Sequence, residues 1–180
     1  MDVLAAWLWG LMMILQPHAP WKATFKETAT AIPEIAEAEP LFAGKDGPAK
    51  SPLLALSTGD FESALKPDAE GDCGHEGPCK PGEVGNSVCF GQVGVSNLKA
   101  LSVTRAAMQE NIRVCVRAMW TMLKGSLAVC RARPLEERLA HYTAGGDGCS
   151  TNEDAVRKSK HRVLKAQLLF RRYPPPAAAP

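Results

Sequence analysis

From Ser96 onward the apolar positions follow a helical spacing. Leu98, Leu101, Met108, Ile112, Cys115, Met119 and Met122 recur at steps of three, four or seven. Such steps place side chains on one face of a spiral with 3.6 residues per turn. Arg105, Gln109, Glu110, Arg113 and Arg117 fall mostly off that stripe. Gly125 is expected to interrupt the helix, since glycine costs about 1 kcal/mol relative to alanine inside one. A second helix is expected over PLEERLAHY, with Pro134 at its first position and Leu135, Leu139 and Tyr142 turned inward. The third should run from about Thr151 to about Arg172. Ser150 and Glu153 have capping-box spacing, and Asp154 adds negative charge where the helix dipole favours it. Val156, Val163, Leu164 and Leu168 are its expected inner face, and Pro174 to Pro176 end it.

Before residue 96 the pattern breaks into fragments. Ile32-Pro33-Glu34 predicts one or two helical turns that Pro40 stops, and Ser57 with Asp60 resembles a start for FESALK. AGKDGPAKSP reads as turn chemistry. Residues 67–86 combine Pro, Gly, Asp and Glu with almost nothing apolar, too little to offset an ordering cost of about 1–2 kcal/mol per residue. VCFGQVGV (88–95) has the β-branched content of a short strand weakened by Gly91 and Gly94.

Composition sharpens the contrast. Hydrophobic residues are 46% of the 180, but aromatics are only 6%, and the many alanines bury little surface each. Nine of 14 prolines and 11 of 15 glycines precede residue 98. Charge divides there too: residues 1–97 hold six basic and 13 acidic side chains (net −7), residues 98–180 hold 15 and six (net +9). The expected fold is therefore mainly α. A small three-helix C-terminal bundle (96–173) would carry a Pro/Ala tail (174–180), behind a long, largely disordered Pro/Gly-rich N-terminal half made of an apolar segment (1–23) and an acidic region (24–95). The charge split points to a polyanionic partner, or to the two halves attracting one another.

Val3 to Leu15 is thirteen residues without a charge. That is the length of a signal-peptide core and short of the ~20 residues of a membrane span. Its flanks fit poorly: Asp2 stands where a cation is usual, and Trp21 occupies a position before Ala23 that wants a small residue. A short core helix or an uncleaved anchor are the alternatives. The compartment stays open between the secretory pathway or a membrane and the cytoplasm or nucleus. Six cysteines behind a signal peptide would suggest disulfides, in any of 15 pairings. Cys115 and Cys130, however, sit in helical stretches where free cysteine acts as a small hydrophobe.

Candidate chemistry is sparse. Cys73, His75, Cys79 and Cys89 offer zinc-type ligands, but their spacing is not a common zinc pattern. Ala49 and Pro48 spoil the only P-loop-like segment, and Gly145 to Gly148 opens a helix already crowded with acids. Gly85 to Cys89 fails the nucleophile-elbow pattern at its last position. No catalytic residue and no cofactor is expected. The remaining feature is the basic run Arg157, Lys158, Lys160, Arg162, Lys165, Arg171 and Arg172, with no acid between its ends. Three readings follow. The first is a non-enzymatic interaction protein whose basic helix meets an acidic protein, nucleic acid or anionic membrane surface, with no small-molecule substrate. The second is a small secreted disulfide-containing factor. The third is a weakly selected reading frame with no settled role.

Overall fold

The computed structural model describes residues 2–75, 79–80, 82–145 and 148–176. Among them are seven α-helices and a three-stranded sheet. The helices are α1 (Val3–Leu15), α2 (Phe25–Ala38), α3 (Gly47–Ser63), α4 (Arg105–Glu110), α5 (Ile112–Val129), α6 (Ala140–Ala144) and α7 (Glu153–Arg172). The strands are β1 (Glu70–Gly71), β2 (Ser87–Val88) and β3 (Val93–Gly94), antiparallel in that order.

The largest correction concerns the N-terminal half, which is ordered and holds three of the helices instead of being largely disordered. One apolar core takes Leu8 and Met12 from α1, Ile32 from α2, Leu53 and Leu56 from α3, Trp120 from α5 and Val163 from α7. Helix α3 is its centre, and every residue from Ser51 to Asp60 is buried. A helix surrounded on all sides shows no amphipathic period. Its small residues are used for close approach. A Cβ on Gly59 would lie 2.1 Å from the Phe90 ring, and one on Gly47 would lie 2.2 Å from the Phe42 carbonyl. Alanines that bury little area individually thus let neighbouring backbones close up, and dispersion contacts accumulate. Pro33 and Pro52 lie inside α2 and α3. The apolar contacts around them outweigh the hydrogen bond each removes.

In the C-terminal half, α5 runs through Gly125 to Val129. Asn111 ends α4 and caps α5, its side chain accepting from Arg113 and Val114 N–H. PLEERLAHY forms a 3-10 turn at Leu135–Glu137 followed by the short α6. The cap of α7 is Asn152, whose side chain accepts from Asp154 and Ala155 N–H, while Ser150 Oγ accepts from Asn152 N–H. Residues 88–95 form not one strand but the β2–β3 hairpin, with Cys89 and Gln92 at positive φ in its turn.

All six cysteines are paired: Cys73–Cys79, Cys89–Cys115 and Cys130–Cys149. The second ties the β2–β3 turn to α5, and the third ties the end of α5 to the segment before α7. Much of the −7/+9 charge contrast is consumed internally. Six ion pairs among the described residues join the acidic half to the basic half: Glu34–Arg113, Glu39–Arg117, Glu39–Lys124, Glu70–Arg105, Glu62–Arg162 and Asp60–Lys165.

Candidate functional site

The basic helix α7 is amphipathic, but its faces are not those the apolar pattern suggested. Ala155, Ser159, Arg162, Val163, Ala166 and Leu169 face the core. Leu164 and Leu168, expected inside, are 49% and 53% exposed. At 100° per residue they lie in the middle of the outward face, with Arg157, His161, Arg171 and Arg172 exposed around them.

The seven basic residues of this helix have different fates. Arg162 is 1% exposed and donates to Glu62 and, at 2.7 Å, to Thr143 Oγ1. Its guanidinium lies 4.4 Å from the centre of the Phe61 ring and 5.8 Å from that of Tyr142, a cation–π placement. Ser57 Oγ donates to its backbone carbonyl at 2.9 Å. Burial pushes the Glu62 carboxyl above its ordinary range, opposed by Arg162, and burial also raises the Tyr142 hydroxyl. Lys165 is bound to Asp60, which also accepts from Gln16 Nε2 at 2.7 Å. Lys160 reaches Glu137 at 3.2 Å, and Arg157 and Lys158 share Asp154. Hydrogen bonds from Lys158 and Arg157 hold the Asp154 carboxyl below its usual value. Arg171 and Arg172 make no ion pair among the described residues; Arg172 lies 5.5 Å from the Tyr173 ring.

The end of α7 that carries these two arginines abuts α1, where the Trp7 indole N–H donates to the Tyr173 carbonyl at 3.2 Å. Helix α1 is apolar on every side. Ala5, Leu8, Leu11 and Met12 face the core, while Val3, Trp9 and Ile14 are 61%, 40% and 52% exposed. No pattern of alternation announces such a face, because both sides of the helix are apolar. Nor is it long enough to cross a bilayer, a limit met by no helix among the described residues. Helices α3 and α7 flank an apolar cavity of about 320 Å³, lined by Leu53, Leu54, Val163 and Phe170 together with Lys50 and Arg171.

The four zinc-type ligands are not brought together. Cys89 is fully buried in its bridge to Cys115, whereas Cys73 and Cys79 are bonded to each other beside His75. The His75 Nε2 instead meets Glu83 Oε2 at 2.9 Å. Of the Gly145–Gly148 loop, Gly146 and Asp147 lie outside the described residues, as do residues 177–180 of the tail. No protein-family model matches the chain, and neither a curated protein nor a solved structure matches it.

Proposed function

We propose that this is a non-enzymatic interaction protein that docks on an anionic lipid surface through the outward face of α1 and the cationic end of α7. The observation that carries the reading is the uncharged outward side of α1, on which Val3, Trp9 and Ile14 are exposed, with Arg171 and Arg172 at the adjoining helix end. An indole is at home at a membrane–water interface, where its apolar body and polar N–H are both accommodated. Each arginine near an anionic bilayer adds about 1 kcal/mol of attraction. The exposed Leu164 and Leu168 between arginines on α7 belong to the same amphipathic design. Nucleic acid is less suited, because five of the seven basic side chains of α7 already have carboxylate partners. The apolar cavity is as large as the smaller ligand pockets, and Lys50 and Arg171 in its lining could meet a headgroup.

Co-sedimentation with vesicles tests this. Binding is expected with phosphatidylserine-containing vesicles and not with pure phosphatidylcholine, weakening as salt rises. Arg171→Gln with Arg172→Gln should lower it severalfold. Equal recovery on both vesicle types, or none on either at low salt, would overturn the reading.

The three disulfides favour a second reading, compatible with the first, of a secreted disulfide-bonded factor. Because α1 fills the core, that factor keeps residues 3–15 in its folded form. Intact-mass measurement of the cellular protein should then find α1 retained and six hydrogens missing. Six free thiols would eliminate it.

A further inference from the structure

We propose that the loop after β1 is a redox-gated zinc site, in which the Cys73 and Cys79 thiolates, once released from their bridge, hold the ion together with Glu83 and His75. Three of the four ligand atoms lie together, two of them as a bonded sulfur pair. The two sulfurs and a Glu83 carboxylate oxygen all lie within 4.8 Å of one another. Neighbouring ligands of a tetrahedral zinc are about 3.5–4 Å apart given its usual bond lengths. After reduction the two sulfurs, bonded in the oxidised protein, must therefore part by about 1.5–2 Å, while the carboxylate closes in by up to about 1 Å. His75 supplies the fourth ligand from beside the carboxylate, its Nε2 standing 2.9 Å from Glu83 Oε2. A set of two thiolates, one imidazole and one carboxylate suits zinc by ligand type. The His75 ring and the backbone N–H of Lys80 both bond Glu83 and fix its carboxylate in place.

Of the three bridges this is the one built to open. It closes the shortest loop, with a separation of six residues against 26 and 19 for the others. Loop-closure entropy is smallest for short loops, so losing this bridge costs the least stability. Cys73 and Cys79 are half-buried residues, whereas Cys89 and Cys115 are sealed in the core. Opening it does not release the loop ends. On one side β1 stays paired to β2. On the other, Asn86 donates to the Asp72 carbonyl from its backbone N–H at 3.3 Å and its side chain at 3.1 Å. Gly85 N–H and Arg105 both bond Glu70.

The step balances with a dithiol as reductant. It gives two electrons and two protons, the Cys73–Cys79 bond breaks to two thiols, and the reductant closes to its own disulfide. Zinc then displaces one proton from each thiol to solvent and does not itself change oxidation state.

The test uses the full oxidised chain and no lipid, so its outcome is separate from that of the docking proposal. Stepwise reduction by dithiothreitol, followed by alkylation and mass mapping, should label Cys73 and Cys79 first while the helical circular dichroism persists. After removal of the dithiol under anaerobic conditions, that form should take up one zinc equivalent against a chromophoric chelator. With cobalt(II) it should show thiolate-to-metal charge transfer. The oxidised chain and the variant with Cys73→Ser and Cys79→Ser should take up none, and Glu83→Gln should bind tenfold or more weakly. The proposal is overturned if another bridge opens first, if the two-thiol form takes no zinc, or if the serine variant takes as much.

Discussion

Arg162 of α7 and Glu62 of α3 form an ion pair inside the protein, with the arginine side chain only 1% exposed. The pair sits at the seam between the acidic and basic halves of the sequence, and it consumes a charge that the linear pattern offers to a partner. Among the described atoms the Arg162 Nε has no hydrogen-bond partner, so the buried cation is not fully satisfied.

Removing one member of such a pair leaves the other charge buried. Glu62→Leu should therefore cost about 3–5 kcal/mol of stability. Arg162→Met should cost less, about 1–3 kcal/mol, because a carboxyl already pushed upward by burial takes a proton instead of staying charged. The double variant Glu62→Leu with Arg162→Met should return to within about 1 kcal/mol of the parent, since a buried pair replaced by apolar side chains is often neutral. Urea titration of the four proteins checks this. Additive losses in the double variant would show that the two residues are not coupled.

A second clamp joins α2 to α5 through Glu34–Arg113 and Glu39–Lys124, and both carboxyls are held below their ordinary value of 4.5 by these partners. A depressed carboxyl stabilises the fold above its unfolded pKa, and that contribution disappears as pH falls through the lower folded value. The melting temperature should thus fall on acidification below about pH 4.5. The variant Glu34→Gln with Glu39→Gln should melt lower than the parent near neutrality and converge with it in acid. A gap that stays constant with pH would refute the clamp.

Gly59 seats the Phe90 ring against α3, and Ser63 Oγ fixes the same residue by donating to its carbonyl at 2.8 Å. Gly59→Ala should destabilise by about 1–3 kcal/mol despite alanine's better helix propensity, because the ring is enclosed and cannot retreat. A stabilised Gly59→Ala protein would contradict the packing described.

At the exit of α3, Ala64 has φ of 50° and Leu65 has φ of 63°. Glycine meets no Cβ penalty in this left-handed region. Ala64→Gly should accordingly raise stability by about 0.5–1 kcal/mol, read as a higher melting temperature, whereas a lower one would contradict the backbone geometry.

What the sequence makes legible follows from which interactions are local. The extent of α7 and the α5 stripe through Ile112, Cys115 and Met119 are readable, because a half-buried helix writes its period into the chain. Helix α3 is not, since Ser51 to Asp60 are covered on all sides and their small residues resemble turn composition. Residues 67–86 look too polar to order, yet Glu70 bonds Arg105, Gln109 and Gly85, partners fifteen to thirty-nine positions away. The basic run was visible residue by residue, but its partners Asp60, Glu62 and Glu137 come from elsewhere in the chain. The apolar pattern places Leu164 and Leu168 on the inner face of α7. Their exposure follows from the 100° step once Ser159, Arg162 and Ala166 define the inner face.

The fluorescence of Trp9 reports most directly on whether α1 and the end of α7 meet a lipid surface. The other three tryptophans have their indole N–H groups bonded to backbone carbonyls, Trp7 to Tyr173, Trp21 to Ala64 and Trp120 to Glu39. With phosphatidylserine-containing vesicles at low salt, emission should shift to the blue, and Trp9→Phe should abolish the shift. An unchanged spectrum of the parent protein under those conditions, or an equal shift in Trp9→Phe, would contradict the docking surface.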